Sequence, residues 1–123
     1  MQDETASARS WPTELRLDKD KGVLTATFDD GASFGLAAEL LRVLSPSAEV
    51  QGHSPEERVT VPGKRNVKIL KVDMVGNYAV RLAFDDGHDT GLYTWDYLYD
   101  LGAKRDVLFE AYLKELADKG LSR

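Results

Sequence analysis

The chain contains no cysteine. That absence removes disulfides, thiolate metal sites, iron–sulfur ligation and cysteine nucleophiles together. It accords with a reducing compartment, and the expected location is the cytoplasm. Histidine is nearly missing as well, with only His53 and His88. No hydrophobic run approaches the length of a membrane span, so no membrane association is expected. The first residues, MQDETASARSW, lack the apolar core of a signal peptide. A surplus of positive charge is missing too. The chain has 16 Lys+Arg against 21 Asp+Glu, a net charge of −5, whereas nucleic-acid binders carry a basic face. What remains, 123 residues with 42% hydrophobic and 30% charged content, is ordinary globular composition. One domain of that size buries about two thirds of the surface its unfolded chain exposes, so size alone calls for no metal or disulfide staple.

The most informative stretch is FDDGHDTGLYTWDYLYDLG, residues 84–102. It repeats an earlier one, FDDGASFGLAAELLRVL, in which Phe28, Asp29, Asp30, Gly31, Gly35 and Leu36 recur 56 positions later as Phe84, Asp85, Asp86, Gly87, Gly91 and Leu92. Around the first copy, Thr13–Asp18 and Val23–Phe28 alternate as strands do. Asp30-Gly31 is read as a two-residue type I′ hairpin turn, which needs positive φ at both central positions. Ser33–Leu36 is then the return strand, and Ala37–Leu44 has helical spacing ended by Ser45-Pro46. Residues 45–66 form the least regular region, with Val59–Val61 as the one segment suited to strand pairing.

In the second half Val67–Val75 is apolar on both faces, with Val67 and Ile69 on one side and Leu70, Val72 and Met74 on the other. That pattern suggests a bulge or a strand covered twice. Gly76-Asn77 turns the chain, Tyr78–Phe84 alternates, and Asp89–Tyr93 returns. Thr94 is placed to cap a helix that buries Trp95, Leu98 and Leu101 and stops at Gly102. A last helix, about Ala103–Lys119, turns Leu108, Phe109, Tyr112, Leu113 and Leu116 inward and stops at Gly120. Residues 1–10 read as a disordered tail and 11–120 as a single domain. The expected fold class is α+β: two antiparallel β-β-β-α pseudo-repeats plus a C-terminal helix.

Chemistry is thinly signalled. Asp29, Asp30, Asp85, Asp86 and Asp89 flank the two turns without calcium-loop spacing, and Asp-Gly is turn chemistry in its own right. His88 and His53 with Glu49 or Asp89 would be an iron site of two imidazoles and a carboxylate, but the His-x-Asp spacing is absent. Ser45, Ser47 and Ser54 with the histidines hint at a hydrolase without a nucleophile elbow. Lys64 and Arg65, with Lys68 and Lys71, make a small basic patch lacking the phosphate-loop pattern. Tyr93, Trp95, Tyr97 and Tyr99 are more aromatic than a small core requires, and tyrosine beside tryptophan is typical of interface centres.

The runs LRVLSPSAEVQGH, GKRNV and VGNYAVRLAFDDGHDTGLYTWDYLYDLG resemble the N-terminal domain of gamma-butyrobetaine hydroxylase and its bacterial stand-alone relatives, from Pro12 to about Leu113. In the hydroxylases a separate dioxygenase domain follows. Too few residues follow here, so no oxygenase activity is expected. The resemblance also implies a zinc site of three cysteines and one histidine, whose positions fall on Ser45, Ser47, Val50 and His88. Serine hydroxyls are poor zinc ligands and valine is none, so no metal or other cofactor is expected and packing should replace the ion. Similar domains are fused to iron–sulfur carrier ATPases of the Mrp type. The expected function is therefore a non-catalytic accessory module that binds a protein, a further copy of this chain included, and serves iron or iron–sulfur proteins. Its surface would comprise His88, Tyr93, Trp95, Tyr97, Lys64, Arg65 and Glu49. The alternatives are an iron-binding protein using His88, His53 and carboxylates, and a small enzyme.

Overall fold

Alternation at Val23–Phe28 and again at Ala79–Phe84 builds the middle strand of each of two three-stranded antiparallel sheets. Every second residue there is apolar and buried: Leu24, Ala26 and Phe28 in one, Val80, Leu82 and Phe84 in the other. The computed structural model describes residues 10–52 and 54–123. In chain order it runs β1 (Pro12–Leu17), β2 (Val23–Phe28), β3 (Ser33–Ala37), α1 (Ala38–Val43), α2 (Ala48–Gln51), a 3-10 turn (Pro55–Glu57), β4 (Ile69–Val75), β5 (Ala79–Phe84), β6 (Leu92–Thr94), α3 (Trp95–Ala103) and α4 (Arg105–Asp118). The class is α+β. The tail read at residues 1–10 lies, apart from Ser10, outside the described residues.

The repeat holds at the level of single hydrogen bonds. Phe28 N–H donates to the Ala32 carbonyl at 2.8 Å, and Phe84 N–H to the His88 carbonyl at 2.9 Å. Gly31 and Gly87 return to the carbonyls of Phe28 and Phe84 with φ of 91° and 92°. Asp29 Oδ1 accepts from Trp11 N–H at 3.2 Å, as Asp85 Oδ1 does from Lys68 N–H at 3.1 Å. Asp30 and Asp86 accept from the N–H two residues on, at 2.8 and 3.0 Å. These loops are not the type I′ turns the dipeptides suggested. Only the glycine has positive φ, and the pattern is a three-residue loop closed by a bulge glycine. The aspartate caps an N–H in each loop and so stabilises the longer form.

The first strand of each half carries a register shift at the matching place, Pro12/Glu14 and Ile69/Lys71, which confirms a bulge in β4. After the turns the repeat slips by one. Leu36 pairs with Leu24, but the partner of Val80 is Tyr93, not Leu92. Leu92 is 40% exposed whereas Leu36 and Tyr93 are sealed. The shared Gly-Leu dipeptide is thus a coincidence of sequence, and Phe34 and Gly91, not Gly35 and Gly91, are structural equivalents. Helices α1 and α3 then begin at equivalent residues, with Ala38 N–H donating to the Gly22 carbonyl and Trp95 N–H to that of Tyr78.

Both sheets and α3 share one core of Leu24, Ala26, Phe28, Leu36, Ile69, Val80, Leu82, Phe84, Tyr93, Leu98 and Leu101. Gly102 does not stop α3, which continues to Ala103. A Cβ at Gly102 would lie 2.3 Å from Phe34 Cγ, so the glycine is there to seat that ring. Helix α4 does end as expected. Gly120 has φ 67°, and Leu121 N–H returns to the Leu116 carbonyl at 2.8 Å in a Schellman closure. Tyr112 and Leu116 are its buried residues, while Leu113 is at the surface, because a single turn-spaced stripe suffices to cover Val43. In the irregular region, Val59–Val61 forms no strand.

Candidate functional site

The chain folds Ser45–Gln51 across the second Asp-Gly turn, and the side chains that meet there form a dense polar cluster joining the two halves of the chain. Gly91 permits the approach, since a Cβ on it would stand 2.3 Å from Ser45 Oγ and 3.2 Å from Pro46 Cδ. His88 projects from the turn into the protein and is buried. Its Nε2 lies 2.9 Å from Ser45 Oγ and 3.4 Å from Ser47 Oγ, and its Nδ1 lies 3.2 Å from Glu49 Oε1. Thr90 Oγ1 donates to the same carboxylate oxygen at 2.9 Å.

Burial, then the charge of Arg42, lowers the His88 pKa against the opposing pull of Glu49, Asp86 and Asp89, so the ring is neutral at neutral pH. With Nδ1–H given to Glu49, Nε2 is left to accept the Ser45 hydroxyl proton. Ser45 Oγ accepts from Ser47 N–H at 3.3 Å. Beside this cluster Asp86 Oδ2 takes Arg42 Nε and Lys64 Nζ, each at 2.7 Å. Burial alone would raise the Asp86 carboxyl, but the bonds from Lys64, His88 N–H and Arg42 outweigh it and hold the carboxyl at about 2.

The order hydroxyl, imidazole, carboxylate is that of a hydrolase triad. Here it has no reactive face. Ser45 is wholly buried, and the groove outside, about 560 Å³ and lined by Arg42, Glu49, Val50, Val59, Asp89 and Thr90, reaches the imidazole and not the serine. A carbonyl carbon has no line of approach to Ser45 Oγ.

The residues at the zinc positions implied by resemblance do converge, but they do not fit the ion. Ser45 and Ser47 occupy the one ring nitrogen that would face a metal, and Val50, buried, contributes only methyl groups. Among the described residues no group of three His, Asp or Glu side chains is placed to hold a metal. His53 lies outside the described residues, so its pairing with His88 is not described.

The aromatic surface expected from sequence is largely interior. Tyr93 and Trp95 are buried, and Tyr97 and Tyr99 are half-buried. Each ring is fixed by its polar end: Tyr93 Oη donates to the Leu41 carbonyl and Tyr97 Oη to that of Leu44, both at 2.5 Å, and Trp95 Nε1 donates to that of Asn77 at 2.8 Å. Burial pushes both tyrosine hydroxyls up in pKa. These rings cover the carbonyl end of α1, which is why so small a core holds so many polar aromatics. His88 is likewise interior. Of the expected surface, Glu49 and Arg65 are exposed, while Lys64 is turned onto Asp86. No local pattern signals Arg42, whose partner is 44 residues away.

A family model described as gamma-butyrobetaine hydroxylase-like, N-terminal, matches residues 15–99. Two solved structures, each described as the solution structure of a protein, are 49% and 47% identical. The first covers 94% of this chain and 90% of its own with a TM-score of 0.80, the second 100% and 90% with 0.82. A crystal structure of a DUF971-family protein of unknown function from Acidithiobacillus ferrooxidans is 39% identical over 75% of this chain and 92% of its own, at a TM-score of 0.62. No curated protein matches.

Proposed function

The chain belongs to the gamma-butyrobetaine hydroxylase-like N-terminal family, and from that premise we propose that it is a non-catalytic accessory module that binds another protein in the cytoplasm. The observation that carries this reading is the division of labour around His88. The groups capable of chemistry, Ser45, Ser47 and the imidazole, are spent on one another inside. The groove beside them presents valines, a threonine, carboxylates and one edge of the imidazole, a surface built for contact that the buried Ser45 does not reach.

Val59 is 47% exposed on that groove, and Glu49 and Asp89 stand exposed at its rim. An apolar floor with a polar rim is the build of a protein contact. The two carboxylates suit a partner segment that brings a cation, since Asp86 already has Arg42 and Lys64. Iron and iron–sulfur proteins are the partner class that the family resemblance brings forward. No helix among the described residues is long and apolar enough to cross a membrane.

The test is affinity capture from native extract with wild type and with Val59→Asp, whose exposed side chain leaves the core untouched. Capture of one partner by wild type, and its loss with Val59→Asp at unchanged Tm, supports the reading. Absence of any partner, or capture indifferent to Val59→Asp, refutes the module or its groove respectively.

A further inference from the structure

The corner between Ser45–Val50 and the second Asp-Gly turn has to hold together two segments more than 40 residues apart. We infer that it does so as a metal-independent tie, in which the Ser45–His88–Glu49 chain of hydrogen bonds and the Val50 side chain occupy the place of an ion. The donor set argues for this directly. A zinc ligand histidine must turn a free lone pair toward the metal, and both ring nitrogens of His88 are already engaged, Nε2 by the serines and Nδ1 by Glu49. The hydroxyls are neutral and Val50 has nothing to donate, so three of four tetrahedral positions lack a ligand.

The opposite corner of the molecule supports the same conclusion. Gly102 is the structural equivalent of Ser45, and Phe34 that of Gly91. There the ring of Phe34 sits on the bare Gly102, with Tyr99 edge-on at 5.2 Å. One half closes its corner with an aromatic plug, the other with a hydrogen-bonded imidazole. The tie also explains why His88 is the residue here and not the alanine that follows the first turn: a longer, two-ended side chain is needed to reach Ser45 and Glu49 at once.

The tie does not depend on the groove having a partner, and its test is separate. The purified full chain is assayed for bound metal by elemental analysis and melted with and without EDTA. The expected result is under 0.1 zinc per chain and a Tm unchanged by the chelator. His88→Ala should lower Tm with no change in metal content. In the triple variant Ser45→Cys, Ser47→Cys, Val50→Cys the three thiolates and His88 have the positions of a Cys₃His site. Added Co(II) should then give thiolate charge-transfer absorption at one equivalent, and Tm should become EDTA-sensitive. Stoichiometric zinc in wild type that is lost with His88→Ala overturns the inference, as does a wild-type Tm that falls with EDTA. Failure of a folded triple variant to take Co(II) overturns the geometry assigned to the corner. If the triple variant does not fold, the wild-type metal content and the His88→Ala melt still decide.

Discussion

Gly102→Ala sets two effects of opposite sign against each other. In a helix interior, alanine is favoured over glycine by about 0.5–1 kcal/mol because it restricts the unfolded chain. Here the new methyl would lie 2.3, 2.4 and 2.7 Å from three atoms of Phe34, more than 1 Å inside ordinary contact. The ring has little room to retreat, with Tyr99 edge-on at 5.2 Å and Phe28 at 6.1 Å. It is only half-buried, however, so it can swing toward water. That escape forfeits about half of the 1.5–3 kcal/mol of a buried phenylalanine and about 0.5–1.5 kcal/mol of ring pairing. The net expectation is a loss of about 1–2 kcal/mol, which for a chain of this size lowers Tm by about 4–8 °C. Urea and thermal melts followed by tryptophan fluorescence measure it. The sign should reverse in a Phe34→Gly background, where neither the ring nor its Cβ is left to meet the new methyl and the same substitution gains its ordinary few tenths to about one kcal/mol. Stabilisation in the wild-type background, or destabilisation of equal size in both, would refute the assignment of Gly102 to the seating of Phe34.

Asp86→Asn should cost about 1–3 kcal/mol at pH 7, since Arg42 and Lys64 lose their shared carboxylate. A carboxyl at about 2 in the fold and near 3.9 unfolded gives stability that is complete above about pH 4 and is lost as pH falls through about 2. The variant's stability should therefore fall less steeply than the wild type's between those values in acid melts, and an unchanged acid limb would count against the ion pair. Tyr93→Phe and Tyr97→Phe each remove a hydroxyl bonded to a carbonyl at the end of α1. Both should lose about 0.5–1.5 kcal/mol, with the larger loss at Tyr93, where no water can take the vacated place, and equal urea midpoints would contradict that ranking.

The division between what the sequence displays and what it hides follows the range of the interactions. Alternation at β2 and β5, the Thr94 cap donated to by Tyr97 N–H and the glycine closing α4 are local, and each is legible in a window of a few residues. Gly102 misleads because a glycine near a helix end has two meanings, and only Phe34, far back in the chain, selects between them. The Gly-Leu dipeptides mislead for a related reason. Identity of sequence cannot reveal a one-residue slip, and in a strand one residue exchanges inside for outside, which leaves Leu92 at the surface and puts Tyr93 in the core. The aromatic group invites an interface reading because composition does not show that the hydroxyls of Tyr93 and Tyr97 have carbonyls waiting for them 50 or so residues earlier.

The same slip, once allowed for, joins contacts that look unrelated. Asp30 Oδ2 accepts from Tyr99 Oη at 2.6 Å, and Asp86 Oδ2 from Arg42 Nε at 2.7 Å. Asp30 and Asp86 are equivalent turn residues, and Arg42 and Tyr99 are equivalent helix residues. Each half therefore offers its turn carboxylate to the helix of the other half, and the two bonds are one contact repeated by an internal two-fold relation. Phe34 on Gly102 and Gly91 against Ser45 are a second such pair, with large and small exchanged between halves. Paired contacts of this kind tie each turn to the opposite helix, so neither half can shift without breaking both. That reciprocity accounts for a stable corner at His88 built from hydrogen bonds alone, because the corner is braced by its counterpart and not by an ion.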